Sequence, residues 1–565
     1  MSLTSVKRRT LRGAGAAAAI AAALVLSSCG GDTGQGSTPQ GSTTGGDDAP
    51  AAGASFVWVV PGLPSTTDPV EGGPLPRVIG PERGSLLVQY DLADVAGMGC
   101  DALAPIDALR GDLAESWEIS EDGTTITFKL REGVTSSFGN QLTAEDVKWS
   151  LERSVALSST SQRFLALTTM WREQDPITIV DDHTVEIHVD TPGSLDVANL
   201  TMFSWMIFDS TEAKKHATPD DEWAAEWLQK NSADFGPWAF TEADWQSTQQ
   251  LSMTRNPNYW AADEYGNVDR LVIKAVPEGS SRAQLVTTGE AQLATDLSAQ
   301  DVTHIQDAAS AQVLNCLSAN RDTLVLNQGY EPLADERVRQ ALSLALDRGQ
   351  LNQGAYLGLA NEPTDGLSQA YDFPRPTDEA DRIRYDVDAA KALLVEAGYP
   401  DGFQLEVTYS QSRPGPQATQ LALNIQSQLG ELGIAVTLKE VPSSTQFNSA
   451  FLDGQYQAVV YQEPPAIADP QYSATLYNAS TSPQNTFGFD DPEYDDLSLR
   501  LLETNPGPER DELATQIAAL TVRTTPVVYL VDTNTQFVLS TTVDTATIRQ
   551  QPGNRLELWR AEVDG

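Results

Sequence analysis

Histidine, cysteine and basic residues are scarce in this chain of 565 residues, and each scarcity argues against a class of function. Four histidines and three cysteines, with no CxxC pair and no Cys/His cluster, argue against a thiol-based metal or redox site. Lysine and arginine total 36 against 78 aspartates and glutamates, for a formal net charge of −42. Because nucleic-acid-binding proteins present a basic face, this charge balance argues strongly against that class.

Catalytic and cofactor signatures are absent from the sequence as well. No GxSxG elbow, HExxH motif, Walker loop or strand-linked GxGxxG is present. His183 and His188 are five residues apart around a predicted strand, so their side chains face opposite sides and are not a metal pair. We therefore predict a protein that is not an enzyme and that uses no metal or cofactor. A cell-surface hydrolase or adhesin is the alternative from a different class.

Apolar runs of membrane-spanning length are also missing. The run over residues 14–26 is shorter than the ~20 apolar residues that a bilayer core requires. A basic start precedes this run and two serines follow it, an order typical of a secretory signal peptide. We predict that residues 1–28 are such a signal peptide.

Cys29 comes directly after the predicted signal peptide. The surrounding LSSCG resembles a bacterial lipobox, in which the cysteine thiol is acylated and the chain is cut just before it. An ordinary signal peptide with a chance cysteine is the alternative. A diacylglyceryl group with an amide-linked chain exceeds the two signals that stable anchoring needs. Residues 29–54 lack large apolar side chains, which predicts a lipidated, disordered tether.

These features together predict a location. We expect the protein on the extracytoplasmic face of the cell membrane, held there only by its lipid. The alanine-rich composition and the scarcity of lysine beside arginine indicate a high-GC, Gram-positive bacterium. Arg8-Arg9 is a partial twin-arginine pattern, so the export route stays open.

Two further cysteines, Cys100 and Cys316, remain after the predicted cleavage. In an oxidising exterior they are candidates for a disulfide that closes a very long loop. Two buried free thiols are the alternative.

Beyond the tether, predicted strands and helices follow one another in an α/β order. Strand, helix and strand at this spacing predict an α/β lobe with a mostly parallel sheet. The predicted strands cover 56–60, 124–130, 184–189, 403–409, 435–440, 457–461 and 525–531, and the predicted helices begin at Thr143 and cover 338–346, 388–397, 418–432 and 444–452.

Six dispersed blocks resemble the extracytoplasmic solute-binding proteins of family 5, which serve peptide and nickel ABC importers. Together they are specific, because they occur in order and with family-like spacing from about residue 56 to the C-terminus. The blocks are 113–133 continued by LTAEDV at 142–147, GPW at 236–238, RNPNYW at 255–260, DERVRQALSLALD at 335–347, AAKALLVEAGYPDG at 389–402 and DPEYDDL at 491–497.

The resemblance implies a bilobal, periplasmic-binding-protein-like α/β fold of the class II type. Two lobes are expected to join through a hinge of two crossover segments, with an extra subdomain in lobe I. The expected division is lobe I at 55–315 with a subdomain over about 85–230, lobe II at 316–526, and a C-terminal return to lobe I at 527–565. The resemblance also implies a monomer that captures an oligopeptide or similar small polar solute and delivers it to ABC permease subunits.

Glu463 is our first candidate for polar ligand recognition. In peptide-binding family members, an aspartate just before an Asp-Pro pair binds the peptide amine. An ungapped alignment on Asp469-Pro470 puts Ala466 at that position and Glu463 where the family has tryptophan. A surface glutamate in a proline-rich loop is the alternative. Further candidate contacts, chosen by their position after strands and by the resemblance, are Tyr461, Gln462, Asp469, Tyr409, Ser410, Thr66 and Thr67.

Ala466 also leaves the cargo open. A peptide is the first hypothesis, and a non-peptide cation such as an amine, or a metal–chelate, is the second. The acidity of the chain and the missing carboxylate favour the second hypothesis, whereas the few histidines argue against bare transition-metal coordination.

The lipid anchor is testable with a single substitution. Cys29→Ala removes the acylated thiol, so the protein should move from the membrane fraction to the soluble fraction. Fractionation of cells followed by immunoblotting measures this, and a variant that stays in the membrane would contradict the anchor.

Overall fold

The structure is a computed structural model that describes residues 54–71, 82–92, 103–157, 176–246, 248–552 and 555–564. The predicted signal peptide, Cys29, all of the predicted tether before residue 54, and Cys100 lie outside the described residues and stay predictions. Within the described ranges, no helix is both long and apolar enough to cross a membrane.

Strands and helices follow one another along most of the described chain. The strands are β1 (Ala54–Val60), β2 (Val88–Tyr90), β3 (Leu109–Gly111), β4 (Ala114–Ile119), β5 (Thr125–Leu130), β6 (Ile177–Asp181), β7 (Thr184–His188), β8 (Trp238–Ala239), β9 (Trp245–Gln246), β10 (Gln250–Arg255), β11 (Val268–Ala275), β12 (Leu293–Ala294), β13 (Ala311–Cys316), β14 (Arg321–Leu326), β15 (Gln404–Tyr409), β16 (Ala435–Glu440), β17 (Ala458–Glu463), β18 (Val527–Asp532), β19 (Thr535–Ser540), β20 (Gln550–Gln551) and β21 (Arg555–Leu556). The helices are α1 (Ala144–Leu157), α2 (Asp196–Asn199), α3 (Ser210–His216), α4 (Ala225–Leu228), α5 (Gly279–Thr287), α6 (Ala299–Ile305), α7 (Glu331–Ala334), α8 (Glu336–Leu344), α9 (Arg348–Leu351), α10 (Val387–Glu396), α11 (Ala418–Gly430), α12 (Ser444–Leu452), α13 (Pro470–Ser473), α14 (Pro492–Glu503) and α15 (Pro508–Thr524).

Helix α1 illustrates how local sequence produces these elements. The backbone N–H and hydroxyl of Thr143 both donate to Asp146 Oδ2, at 2.9 and 3.0 Å, and this contact stabilises the first turn. Val147 and Leu151, four residues apart, are fully buried on the face that meets the core. The predicted helix start and apolar stripe are therefore confirmed.

The first lobe is built on an eight-stranded sheet with the order β13-β19-β12-β1-β11-β10-β8, in which β9 pairs with β10. Strand β1 lies inside this sheet and runs parallel to both β11 and β12. Its sequence FVWVV is apolar because the strand has neighbours on both edges and both faces are covered. A separate four-stranded antiparallel sheet, β4-β5-β7-β6, forms the core of the extra subdomain in this lobe.

The second lobe is built on a five-stranded sheet with the order β16-β15-β17-β14-β18. Strand β15 runs parallel to β16 and β17, whereas β14 runs antiparallel to β17 and β18. The prediction of a mostly parallel sheet was therefore wrong, since two of the four pairings are antiparallel. Both antiparallel pairings involve β14, which enters from the first lobe and therefore begins at the end of the sheet where β17 and β18 finish.

The chain crosses between the lobes twice, first between β13 and β14 and again between β18 and β19. Our expected boundary at residue 526 falls before β18. Because β18 pairs with β14 in the second sheet, we move the proposed boundary to the short segment between Asp532 and Thr535.

A buried ion pair joins the two strands at these crossovers. Arg321, the first residue of β14, donates from Nε to Oδ1 of Asp532, the last residue of β18, at 2.7 Å. The same arginine is in register with Glu463 on the other neighbouring strand, β17. Residues directly opposite each other in adjacent strands share a sheet face. Glu463, Arg321 and Asp532 therefore form one acid–arginine–acid row across three strands.

Apolar packing holds each lobe together and also connects the lobes. One cluster around Val407, Leu421 and Val528 belongs to the second lobe, and another around Trp58 and Leu271 belongs to the first. A third cluster contains side chains of both lobes, for example Phe128, Leu200 and Trp205 from the first with Tyr461, Tyr472 and Tyr529 from the second.

Removing the arginine from the acid–arginine–acid row should destabilise the protein strongly. Arg321→Met leaves two buried carboxylates without their cation, and breaking a buried pair in this way costs about 3–5 kcal/mol. Arg337→Met is the matched control, because Arg337 pairs with Asp335 on the exposed surface at 2.6 Å and should change stability little. Thermal denaturation of both variants measures the difference, and equal melting temperatures would contradict the prediction.

Candidate functional site

The predicted contacts Tyr461, Gln462 and Glu463 are the last three residues of β17. They pair in register with Thr323, Asp322 and Arg321 at the beginning of β14. The structure therefore brings these three predicted residues to the end of the second sheet from which the crossovers leave.

Glu463 is a buried acid at the end of β17. Its side chain belongs to a residue only 2 % exposed, and Oε2 has no hydrogen-bond partner among the described residues. The opposite arginine, Arg321, is 1 % exposed and uses its Nε on Asp532 instead. The pKa of Glu463 is raised to about 7, chiefly by burial; Arg321 and Arg413 oppose this rise, and the charge of Asp532 adds to it. The surface-loop alternative for this residue is wrong.

Asp322, beside Arg321, is a second buried acid in the site. Its Oδ1 accepts a hydrogen bond from Gln462 Nε2 at 3.0 Å, and its Oδ2 accepts one from the Tyr356 hydroxyl. Burial raises its pKa to about 7, against the lowering effect of these two hydrogen bonds. The Gln462 side-chain amide is thus already hydrogen-bonded to Asp322 on the neighbouring strand β14.

Tyr461 lies in an aromatic stack. Its ring is 4.0 Å from the Phe451 ring, centroid to centroid, at an interplanar angle of 5°. The Arg413 guanidinium lies 3.9 Å from the Tyr461 centroid and donates from Nε and Nη2 to the Gln462 carbonyl at 2.9 and 2.7 Å. Ring stacking and cation–π contact therefore hold Arg413 against the end of β17.

Tyr409 and Ser410 reach the same region through the loop after β15. The Arg413 N–H donates to the Ser410 carbonyl at 3.2 Å, and the hydroxyls of Ser410 and Ser412 are 2.7 Å apart. The Tyr409 hydroxyl is 3.5 Å from Glu440 Oε2. Ser410 therefore positions the loop that carries Arg413.

Four buried tyrosines lie close enough to Glu463 for its charge to affect them. Burial raises the pKa of each hydroxyl, and the negative charge of Glu463 raises it further. The Arg321 guanidinium lies 3.8 Å from the centroid of the Tyr529 ring, and the Tyr371 hydroxyl is 3.2 Å from Ser473 Oγ. The four tyrosines are Tyr371, Tyr477, Tyr494 and Tyr529.

Asp469 belongs to a contact between the lobes. Arg510 donates to both oxygens of its carboxylate, at 2.8 and 2.6 Å, and Asp469 Oδ1 also accepts from the Gln471 N–H at the start of α13. Arg510 Nη2 lies 3.3 Å from the hydroxyl of Ser194 in the first lobe, and that hydroxyl donates to Gln471 Oε1 at 3.1 Å. Both carboxylate oxygens of Asp469 thus accept hydrogen bonds from other residues of the protein.

Thr66 and Thr67 lie in a separate network of the first lobe. The Thr66 hydroxyl accepts from the Asp68 N–H at 2.8 Å, and the Thr67 hydroxyl accepts from Arg83 Nη1 at 2.9 Å. Arg83 is ion-paired with Asp234 at 2.9 Å. Among the described contacts none joins either threonine to the residues around Glu463, so their ligand role stays a prediction.

The structure also bears on the metal prediction and on one cysteine of the candidate disulfide. In the described part of the chain, no three His, Cys, Asp or Glu side chains are grouped so that they could hold a metal ion. Cys316 is buried and disulfide-bonded. Cys100 lies outside the described residues, so its pairing with Cys316 stays a prediction.

Comparison with known proteins identifies the family. The profile of the bacterial extracellular solute-binding proteins, family 5 (middle region), matches residues 108–485, which is well over half of the chain. The chain belongs to this family. It is a solute-binding protein of the extracytoplasmic compartment and not an enzyme, as predicted.

Individual relatives cover most of this solute-binding protein. The probable D,D-dipeptide-binding periplasmic protein DdpA of Escherichia coli is 26 % identical over 439 residues, 76 % of this chain and 81 % of its own. Heme-binding protein A of Haemophilus influenzae is 25 % identical over 429 residues, 72 % of this chain and 75 % of its own. The Helicobacter pylori periplasmic binding protein DppA, solved with peptide STSA, superposes with a TM-score of 0.76 at 21 % identity over 91 % of this chain and 98 % of its own. These neighbours confirm the bilobal fold.

Several residues of the solute-binding protein's site escaped the sequence reasoning. Arg321 and Asp322 carried a signal, since a charged pair opens the strand RDTLVL, in which every residue is buried. Arg413 and Tyr371 carried none, because they lie in irregular segments distant in sequence from Glu463. Only the fold brings them to it.

Glu463→Gln should make stability less dependent on pH. With a pKa raised from 4.5 to about 7, the folded protein binds the Glu463 proton more tightly than the unfolded chain, so stability falls as pH rises through this window. Relative to wild type, the variant should gain about 3 kcal/mol between about pH 4.5 and pH 8. Thermal denaturation of ligand-stripped protein across this range tests it, with the exposed Glu431→Gln as control. A stability difference that does not change with pH would contradict the assignment.

Proposed function

We propose that this chain is the lipid-anchored substrate-binding component of an ABC importer. It captures an oligopeptide or a similar small polar solute between its two lobes and delivers it to the membrane permease. The observation that carries this proposal is the buried carboxylate of Glu463, whose Oε2 has no hydrogen-bond partner among the described residues. Burying a carboxylate without a hydrogen-bond partner costs free energy. In this proposal the ligand supplies the missing partner.

The position of Glu463 supports capture between the lobes. It lies on the strand next to the crossover strand β14, and the negative charges of Glu463 and Asp469 both raise the pKa of Tyr371. Asp469 in turn connects through Arg510 to Ser194 of the first lobe. A ligand at Glu463 therefore lies near side chains that meet the other lobe, and contacts with both lobes favour the closed state.

The N-terminal sequence supports the membrane attachment. In this proposal Cys29 carries the lipid, residues 30–53 form a flexible tether, and the folded part acts as a monomer beside its permease. The tether has an r.m.s. reach of about 25–30 Å by the scaling of flexible linkers. The lobes can therefore approach the permease while the lipid stays in the membrane. Docking of the closed form onto the permease is the step that lipid attachment makes efficient.

A non-peptide cation is the second candidate cargo. Ala466, which is buried, stands where peptide-binding relatives are expected to carry the amine-binding aspartate. The metal–chelate version of this alternative gains no support from the residues around Glu463, which include no histidine within the described contacts.

Ligand capture is testable without knowing the ligand. Native mass spectrometry of the full-length chain should reveal a co-purifying solute, or a solute gained from a pool of di- to tetrapeptides. A ligand at 100 times its Kd should stabilise the protein by about 2.7 kcal/mol, visible as a rise in melting temperature.

Small-angle scattering should show compaction when the ligand is added to stripped protein. Absence of any bound solute, of stabilisation and of compaction would overturn the proposed function. Stabilisation by a non-peptide solute alone would replace only the peptide assignment.

A further inference from the structure

We infer that Ser194 is a positioning residue for solute capture, because it holds the first lobe against three helices of the second lobe in the closed state. The consequence for a bound solute rests on the proposed function and deepens it by naming a residue that controls how long the solute is retained. Three observations carry the inference: the hydrogen bonds of Ser194, the turn that presents it, and the buried donors beside it.

Ser194 uses both its backbone and its side chain on the second lobe. Its N–H donates to the Leu502 carbonyl at 3.0 Å, near the end of α14. Its hydroxyl donates to Gln471 Oε1 of α13 at 3.1 Å and accepts from Arg510 Nη2, in the first turn of α15, at 3.3 Å. One serine of the first lobe therefore contacts three helices of the second.

A tight turn presents Ser194 to these helices. The Gly193 N–H donates to Asp196 Oδ2 at 2.7 Å, and the Asp196 N–H donates to the Gly193 carbonyl at 3.2 Å. Leu195, which follows Ser194, is fully buried in the apolar cluster that the two lobes share. The backbone is thus fixed on both sides of the serine, so little conformational entropy is lost when Ser194 meets the second lobe.

The hydrogen bonds of Ser194 are separate from the candidate solute contact at Glu463. Arg510 is held by both carboxylate oxygens of Asp469, at 2.8 and 2.6 Å. Among the described residues, no hydrogen bond joins Ser194, Gln471 or Arg510 to Glu463. We therefore expect Ser194 to affect how firmly the lobes close and to leave the choice of solute unchanged.

Two buried donors limit how strongly this contact holds the lobes. Gln471 Nε2 and Arg510 Nε are buried and have no hydrogen-bond partner among the described residues. A buried donor without a partner costs free energy, which offsets part of what the three hydrogen bonds of Ser194 contribute. We expect the contact to stabilise the closed state by a small net amount, so that the lobes separate again for release.

Hydrogen exchange at the amide of residue 194 tests the contact without any solute. Because this N–H donates to Leu502 of the other lobe, its exchange requires the two lobes to separate at this point. The protection factor of this amide therefore measures the ratio of closed to open protein. The full-length chain is stripped of solute, and each protection factor is referred to the intrinsic exchange rate of the residue at position 194.

Three substitutions assign the protection to the hydroxyl. Ser194→Ala leaves Gln471 Oε1 without its donor, so protection should fall about two- to tenfold, the effect of one hydrogen bond. Ser194→Thr keeps a hydroxyl and should restore protection to within about twofold of wild type. Ser120→Ala is the matched control, because the exposed Ser120 hydroxyl donates to Asp122 at 2.7 Å within the same hairpin; it should change nothing at residue 194.

Solute release provides the functional readout. Trialanine represents the peptide candidate and tyramine the non-peptide cation, and the release of each solute from the full-length chain is followed by stopped flow. Ser194→Ala should raise the dissociation rate of both solutes by the same two- to tenfold factor, since apparent affinity scales with the closed population. The ratio of their two dissociation constants should stay within about twofold of wild type, because neither solute loses a contact of its own.

The outcomes separate this inference from the proposed function. Wild-type exchange at residue 194 as fast as in an unstructured peptide, or protection that Ser194→Ala leaves unchanged, overturns the inference whether or not a solute binds. A changed ratio of the two dissociation constants also overturns it, because that result places Ser194 among the solute contacts. Absence of any bound solute and of compaction overturns the proposed function, and the exchange experiment then still decides whether Ser194 holds the lobes together.

Discussion

The ion pair between Arg321 and Asp532 is the contact on which the rest of the site depends. It joins the first residue of one crossover strand to the last residue of the other, so it fixes the point where the second lobe meets its two connections. Removing both charges from water is costly, and the Nε–Oδ1 contact, the Asp365 carbonyl and the Tyr529 ring offset that cost. Arg321 directs its Nε to Asp532, while its Nη1 and Oε2 of Glu463 on the opposite side have no hydrogen-bond partner among the described residues.

The site and the contact between the lobes share one short segment. Glu463 ends a strand, and six residues later Asp469 caps a helix and binds Arg510 beside Ser194 of the first lobe. A ligand that reorganises this segment acts on both ends of it. In the proposed function, this covalent proximity couples recognition to closure without a long-range pathway.

Much of the fold could be predicted from the sequence, and the site only in part. Strand 435–440 and helix 444–452 were bounded correctly because alternation and an N-cap serine are local signals. The reversed direction of β14 was not predictable, since it follows from the connection to the other lobe. Glu463 was found through one aligned Asp-Pro pair, whereas Arg413 and Tyr371 come from loops that no local pattern links to it. The Thr66 hydroxyl accepts a hydrogen bond from the Asp68 N–H, a local contact that the sequence does not reveal, and its ligand role stays a prediction.

The apolar cluster shared by the two lobes has a thermodynamic consequence. Side chains such as Phe128 and Leu200 belong to the same cluster as Tyr472 and Tyr529, so separating the lobes exposes apolar surface to water. Exposing apolar surface to water raises the heat capacity, so closing the lobes, which buries that surface, lowers it. A small polar ligand that closes the lobes therefore binds with a negative heat-capacity change larger than its own size accounts for, and the enthalpy of capture depends on temperature accordingly.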